Sequence, residues 1–273
     1  MSLPRIPLLN QAYELSDEQI EKYRSAGAVR LPDVLDGETL DATRETVRRL
    51  TRAGDRATVP LSERDTYGKA FTQVFNLWRR DELARALAFS RRLARIATAL
   101  MGCDGVRMYH DQALFKEAGG GHTPWHCDQF YWPVDTDNTI TAWIPLQKTP
   151  LEMGPLAFAR GSQKVTAGRD LQISDESERV LDKLLADYPQ EEAPFELGEV
   201  SFHSGWTYHR AGPNRTDQAR EVFTIIYLDR DARLRTPESP FEQFDAKTWC
   251  PGIAPGELID SPQNPLLFEH SDR

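Results

Sequence analysis

The stretch from residue 106 to residue 229 constrains the fold most. It divides into short apolar or alternating runs that are separated by Gly, Pro, Asn and Asp. Runs of four to eight residues bounded by turn formers are typical of strands in a multi-stranded β-domain. The predicted strands are 106–116, 139–146, 156–159, 200–203 and 221–229. The sequence therefore predicts a mainly β core.

The residues before this stretch have helical patterns instead. Ser16 and Gln19 have the spacing of a capping box, which predicts a helix that ends near Ala26, before Gly27. A short strand is expected at 28–32. A second helix should begin with Asp36 as its cap and end near residue 54, and a third should span about 81–100. These helices should pack against the sheet, so the predicted class is α+β.

The length of 273 residues suits one domain. We expect residues 1–104 to form a mostly helical N-terminal support and residues 105–232 to form the β core. The pattern near 174–187 indicates a helical insertion at the mouth of the core, where loops often determine specificity. Residues 233–273 should form a C-terminal tail that packs on the core through Phe241, Phe244 and Trp249.

Composition narrows the possible environments and partners. The formal net charge is -9 and the basic residues are scattered, which argues against a nucleic-acid-binding surface. No apolar run approaches the roughly 20 residues that a membrane-spanning helix needs. The chain has three separated cysteines and no pattern of a signal peptide at residues 1–15. We therefore expect a cytoplasmic protein with a small-molecule partner.

Two histidines and an aspartate could form a metal site. His126 and Asp128 are two residues apart, so on an extended strand they would face the same way while Cys127 points away. His209 lies far downstream and could supply the third ligand. Two imidazoles and one carboxylate form the ligand set of non-haem Fe(II) sites, which leave coordination positions open for chemistry. His203 is the alternative third ligand, but the Gly-Pro-Asn sequence that follows His209 favours His209.

The segments around these residues share features with a known family. Together they resemble the phytanoyl-CoA dioxygenase family of Fe(II)/2-oxoglutarate-dependent oxygenases. Met153 and Gln163 depart from the family pattern, as does Ala211, where some relatives have a serine that contacts the co-substrate. The resemblance is carried by GGGHTPWHCDQF at 119–130, TAWIPL at 141–146, EMGPL at 152–156, GSQ at 161–163 and WTYHRAGPNR at 206–215.

The resemblance implies a double-stranded β-helix, that is, a cupin-like jelly-roll barrel, with Fe(II) as cofactor and with 2-oxoglutarate and O2 as co-substrates. It assigns Arg220 to the far carboxylate of 2-oxoglutarate, because a guanidinium can donate two charge-assisted hydrogen bonds to a carboxylate. Lys116 and Trp143 fall at positions that line the 2-oxoglutarate pocket in the family. Tyr131 and Trp132 are the candidates for substrate contact.

The expected activity is hydroxylation, or another oxidation, of a small-molecule metabolite or natural-product intermediate. Asp128 favours hydroxylation over halogenation, since halogenating relatives typically replace this carboxylate with a small residue. The alternatives are a metal-binding jelly-roll module without catalysis and a cupin-like metal-dependent isomerase or hydrolase. A bare metal-binding module has no need for Arg220, and the absence of an additional ligand in the first motif weighs against the isomerase or hydrolase. The sequence leaves open the substrate, including whether it is a CoA thioester, and the oligomeric state.

Overall fold

Two antiparallel β-sheets face each other in the computed structural model, which describes residues 6–54 and 59–270. The strands are β1 (Ala28–Leu31), β2 (Thr72–Phe75), β3 (Gly105–Lys116), β4 (Thr123–His126), β5 (Thr139–Pro145), β6 (Leu156–Ala159), β7 (Gln190–Glu192), β8 (Val200–Ser204), β9 (His209–Ala211), β10 (Arg220–Asp229) and β11 (Leu266–Glu269). The larger sheet has the order β1-β8-β5-β10-β3-β11, and β2 also pairs with β3. The smaller sheet has the order β4-β9-β6-β7.

Helices surround the two sheets. They are α1 (Asp17–Ala26), α2 (Gly37–Gly54), α3 (Thr66–Ala70), α4 (Glu82–Ala88), α5 (Arg91–Met101), α6 (Asp175–Leu184) and α7 (Pro240–Trp249). Of these, α1, α2, α4 and α5 contribute buried side chains to the cluster that packs on the larger sheet. This arrangement is the α+β jelly roll that the sequence predicts.

The predicted N-terminal helices are found, with one correction. The capping box of Ser16 starts α1, and Gly27 ends it with φ 77°, which confirms both bounds. Asp36 accepts a hydrogen bond from the backbone of Thr39 at the start of α2. The single helix predicted at 81–100 is wrong, because the hydroxyl of Ser90 accepts from the backbone N–H of Leu93 and begins a new helix, α5.

Alternation along the strands of the larger sheet separates the helix-covered face from the face toward the smaller sheet. On β5, Ile140, Ala142 and Ile144 belong to the helix-side core, whereas Thr141 and Trp143 line a cavity between the sheets. The other central strands follow the same two-residue period. Polar residues on the inner face of an otherwise apolar sheet therefore mark the wall of this cavity.

The C-terminal tail contains α7, which begins with a capping box between Ser239 and Glu242. Phe241 and Phe244 lie on this helix and remain 41% and 61% exposed, although the ring of Phe241 lies 5.8 Å from that of Phe130. Trp249, at the end of α7, is buried as expected. Among residues 6–54 and 59–270, no helix has the length and apolarity that crossing a membrane requires.

Candidate active site

The cavity between the sheets contains His126, Asp128 and His209. His126 is the last residue of β4, and it pairs in register with His209, the first residue of β9. Asp128 opens the short 3-10 turn Asp128–Tyr131. One ligand atom from each of the three residues lies within 4.8 Å of the others. The structure thus brings together the three residues that the sequence nominated.

Backbone carbonyl groups orient both imidazoles. His126 Nδ1 lies 2.7 Å from the carbonyl oxygen of Pro124, and His209 Nδ1 lies 3.0 Å from that of Thr207. A carbonyl oxygen can only accept, so each Nδ1 carries the proton and donates it. This leaves the lone pair of each Nε2 free. The two Nε2 atoms lie 3.8 and 3.6 Å from Oδ1 of Asp128.

The carboxylate of Asp128 is held through its other oxygen. Oδ2 accepts a hydrogen bond of 2.9 Å from the hydroxyl of Thr141 and lies 3.2 Å from Nε2 of His203. Thr141 and His203 are register partners on β5 and β8. His203, the alternative third ligand, therefore lies on the larger sheet and contacts the carboxylate. Supporting contacts of this kind orient a metal ligand and adjust its basicity.

The protonation states of the cluster suit a divalent cation. Burial, together with repulsion from His209, lowers the pKa of His126 to about 4. Burial likewise lowers the pKa of His209 to about 4. Burial opposes ionisation of Asp128, but the neighbouring histidines outweigh it and hold the pKa of this carboxyl well below its usual range. Two neutral imidazoles and one carboxylate at neutral pH are ready to bind a metal without releasing protons.

The local backbone differs from the expected continuous strand. β4 ends at His126, and Asp128 already belongs to the 3-10 turn. Cys127 between them is extended, with φ −121° and ψ 138°, so the two ligand candidates still share a face. The side chain of Cys127 is buried in a cluster with Trp125 and Tyr208. Burial raises the pKa of its thiol to about 12, which leaves it unreactive.

Arg220 and Lys116 are buried basic side chains that face each other across β10 and β3. Nζ of Lys116 donates to the carbonyl oxygens of Gly121 at 2.5 Å and Gly212 at 2.9 Å. Arg220 donates through one terminal nitrogen to the carbonyl oxygen of Gly154, but its buried Nε has no hydrogen-bond partner. Lys116 is thus engaged with backbone oxygens, while Arg220 retains donor capacity.

Burial also affects the charges of these two side chains. Burial and the charge of Arg220 lower the pKa of Lys116 to about 6. Burial lowers the pKa of Arg220 to about 10, which leaves its guanidinium charged at neutral pH. A charged guanidinium with an unpartnered buried N–H is costly unless an acceptor binds it. The donor set therefore fits a carboxylate such as that of 2-oxoglutarate, and the two imidazoles and carboxylate nearby fit Fe(II).

The cavity has a volume of about 510 Å³. Its lining includes Arg220, Trp143, Tyr131 and Trp132 of the residues nominated from the sequence, but Lys116 is not among the described lining residues. The guanidinium of Arg220 lies 5.4 Å above the ring centroid of Trp143. The sequence reasoning missed a further set of lining residues from segments remote in the chain, namely Tyr67, Phe71, Phe75, His110, Phe241, Phe244, Asp245 and Trp249.

Known proteins with similar sequences or structures share this chemistry. The chain is 23% identical over 227 residues to a probable alpha-ketoglutarate-dependent hypophosphite dioxygenase of Stutzerimonas stutzeri, which covers 79% of each chain. The structure of the present chain is similar to that of the non-heme alpha-ketoglutarate-dependent carbocyclase SnoK from nogalamycin biosynthesis. That match has a TM-score of 0.77 and 26% identity and covers 93% of this chain and 97% of SnoK.

The epimerase SnoN, solved in complex with Fe3+, alpha-ketoglutarate and nogalamycin RO, matches with a TM-score of 0.74 and 26% identity, over 92% of this chain and 98% of SnoN. Alpha-ketoglutarate is 2-oxoglutarate. With these relatives and a His-Asp-His cluster in its cavity, the protein is an Fe(II)- and 2-oxoglutarate-dependent oxygenase. The sequence profile of one family matches residues 23–222, most of the chain, and the protein belongs to that family, the phytanoyl-CoA dioxygenases.

Proposed function

We propose that His126, Asp128 and His209 bind the Fe(II) and that Arg220 binds the far carboxylate of 2-oxoglutarate. The proposed reaction is hydroxylation, or a related oxidation, of a C–H bond of a small molecule. The observation that carries this proposal is the unpartnered Nε of Arg220, which is buried in the wall of the same cavity as the three ligand candidates. A metal site without a 2-oxo acid gives this guanidinium no role.

Each part of the inner cavity has a defined task in this proposal. The carbonyl groups of Pro124 and Thr207 hold the two imidazoles with Nε2 toward the metal. Thr141 and His203 hold Asp128 so that Oδ1 is directed at both imidazoles. When bound, Fe(II) and 2-oxoglutarate supply the oxidising power, with dioxygen consumed and succinate and carbon dioxide released.

The protein also controls orientation and access to water. Trp143 lies beside the guanidinium of Arg220, and its ring is 4.8 Å from that of Phe195. Both side chains are almost fully buried, so water has little access to the Arg220 end of the cavity. A bound carboxylate there interacts with the guanidinium in a medium of low dielectric constant, which strengthens the contact. The cavity leaves its remaining volume for the substrate.

The test compares His126→Ala with His122→Ala. His122 is four residues away and its side chain is 46% exposed, and it is not part of the His126, Asp128 and His209 cluster, so it is a matched control. Protein prepared without oxygen would be loaded with Fe(II) and 2-oxoglutarate and then exposed to air with a pool of candidate metabolites. We expect bound iron and iron-dependent succinate in the wild type and in His122→Ala, and neither in His126→Ala.

Two results would contradict the proposal. If His126→Ala retained stoichiometric iron, the metal would bind elsewhere. If wild-type protein bound Fe(II) but bound no 2-oxoglutarate, the site would be a metal-binding module or the centre of a metal-dependent isomerase or hydrolase. The metabolite that increases succinate formation most would identify the substrate.

A further inference from the structure

The outer part of the cavity is lined by aromatic side chains from separate segments of the chain. Of the eight large hydrophobic side chains that are exposed in the described residues, three line this cavity: Tyr67 (41%), Phe241 (41%) and Phe244 (61%). They come from α3 and α7, which are remote in sequence. Exposed apolar side chains that gather at one opening are typical of a ligand-binding surface. A ligand with an apolar ring system would cover them.

The charges of this outer part exclude one class of ligand. Apart from Arg220, no lysine or arginine lines the cavity in residues 6–54 and 59–270, and Arg220 is at the inner end beside Trp143. The acidic side chains next to the outer aromatic residues are Asp65, which caps α3, and Asp245 of α7. A phosphonate, phosphate or carboxylate placed there would lose its hydration without gaining a cation, which is unfavourable.

Asp245 is itself held in place by neighbouring residues. It is 8% exposed, and its Oδ2 accepts a hydrogen bond of 3.3 Å from the hydroxyl of Tyr109. The negative charge of Glu242 also acts on it. Burial raises the pKa of this carboxyl to about 7, and hydrogen bonding from Tyr109 and Trp249 limits that rise. A donor group on a ligand would stabilise the carboxylate.

A second polar group lies in the same aromatic wall. His110 is 4% exposed and its ring centroid is 4.8 Å from that of Trp249 and 5.4 Å from that of Phe75. Its Nδ1 is buried and has no hydrogen-bond partner in the structure. Burial lowers the pKa of His110 to about 3, so the ring is neutral. His110 therefore adds no positive charge that could attract an anion.

We infer that the outer cavity binds a ring-bearing small molecule that is neutral or carries a protonated amine, and that Asp245 determines this specificity by accepting a hydrogen bond from its hydroxyl or ammonium group. This inference rests on the proposed function, because it defines the substrate class of the same site. It places the reactive C–H bond of an apolar skeleton toward the metal cluster, with the donor group at the opposite end.

The test uses three probes that share one ring and differ in the end group: naphthylethylamine, naphthylethanol and naphthylacetate. Calorimetry under nitrogen, with Fe(II) and 2-oxoglutarate present, would measure their dissociation constants. We expect the amine and the alcohol to bind about tenfold more tightly than the carboxylate, as for a single charged hydrogen bond. Equal or tighter binding of naphthylacetate, or no binding of any probe, would overturn the inference.

The variant Asp245→Asn removes the charge but retains an oxygen that can accept from Tyr109. It should weaken binding of the amine probe about tenfold and change binding of the alcohol probe much less if the natural ligand carries an amine. Weaker binding of the alcohol probe as well would indicate that the natural ligand carries a hydroxyl group. Glu238→Gln is the control, because this carboxylate is 80% exposed beside α7 and does not line the cavity. An unchanged preference in Asp245→Asn would overturn the role of Asp245.

Failure of the proposed function can be distinguished from failure of this inference. Succinate formation tests the iron and 2-oxoglutarate chemistry, whereas the preference among the three probes does not depend on turnover. The wild-type preference also tests the inference without any variant, so poor folding of Asp245→Asn would leave that test intact.

Discussion

The two ends of the cavity are built in different ways. At the inner end, the ligand candidates and Arg220 lie on or directly beside strands of the barrel, and the neighbouring backbone or side chains fix each of them. At the outer end, the walls come largely from α3, β2 and α7, and their aromatic side chains are partly exposed. The inner end is preorganised for one kind of chemistry, while the outer end has apolar surface for a ligand to cover.

This difference indicates that the two ends of the cavity have separate functions. The register between β4 and β9 positions the histidines, so changes there should affect metal and co-substrate binding whatever the substrate is. The segments α3 and α7 lie outside the two sheets, so changes there should alter substrate preference and leave the metal cluster intact. The following predictions test whether the two ends are this independent, from the largest expected effect to the smallest.

Replacement of Arg220 tests the inner end most directly. Arg220→Leu removes the charged donor, so the dissociation constant for 2-oxoglutarate should rise about a hundredfold or more, while iron binding persists. Arg220→Lys should restore only part of the affinity, because an ammonium lacks the forked geometry of the guanidinium. Calorimetry with Fe(II)-loaded protein measures both constants. Unchanged 2-oxoglutarate affinity in Arg220→Leu would assign another residue as the anchor.

The backbone at the inner end should tolerate very little added volume. Gly154 has φ 69°, and a Cβ built there would lie 2.2 Å from the carbonyl oxygen of Gly212. Gly154→Ala should lower the free energy of unfolding by about 3 kcal/mol, from left-handed strain plus steric overlap. Gly119 has φ 75° with no atom within 4 Å of the added Cβ, so Gly119→Ala should lose only about 1 kcal/mol.

Urea denaturation of both glycine variants measures this difference. Because the carbonyl group of Gly154 accepts from Arg220, the less stable variant should also bind 2-oxoglutarate more weakly. Equal losses of unfolding free energy in the two variants would show that the backbone can relax where Gly154 approaches Gly212. The inner end of the cavity would then be less rigid than its hydrogen bonds suggest.

The contrast between the ends also explains what the sequence could predict. The spacing of His126 and Asp128, the context of His209 and the distance to Arg220 are local patterns, so they identified candidates that the structure places around one cavity. The strand-rich core and the first two helices followed from alternation and caps. The spacing of apolar residues does not reveal the split between α4 and α5, because it depends on the cap that Ser90 forms in the folded chain.

No comparable sequence pattern identifies the residues at the outer end of the cavity. Tyr67, His110 and Asp245 come from three separate segments, and only the folded chain brings them to one cavity. The capping box at Ser239 does predict α7, but it does not show which face of the helix meets the barrel. The role of Thr141 could have been found, since polar residues on the inner face of an apolar sheet need partners, whereas His203 was predicted only as an alternative ligand.

At the outer end, the stability of the protein should depend on pH through Asp245. Its folded pKa, raised to about 7, exceeds the unfolded value of 3.8, so the folded state holds the proton longer and loses stability as pH rises between these values. Asp245→Asn has no such proton. Relative to this variant, the wild type should lose about 2 kcal/mol between pH 5 and pH 7.

Urea denaturation of both proteins at the two pH values checks this. Glu238→Gln should show the wild-type dependence, because Glu238 is exposed and does not line the cavity. If the difference in unfolding free energy between wild type and Asp245→Asn were the same at both pH values, the carboxyl of Asp245 would be solvated. The outer end of the cavity would then lack the buried acceptor that distinguishes it.

The smallest expected effect tests the link between the ends. Thr141→Val keeps the size of the side chain but removes the hydroxyl that donates to Asp128 Oδ2, so Fe(II) affinity should fall about tenfold. Thr224→Val is the matched control, since Thr224 lines the same cavity on β10 and its hydroxyl lies 3.5 Å from the carbonyl oxygen of Gln112. Neither change should alter the preference among the three naphthyl probes. If Thr141→Val altered that preference as well, the orientation of Asp128 would reach the substrate end, and the two ends would have to be treated as one coupled site.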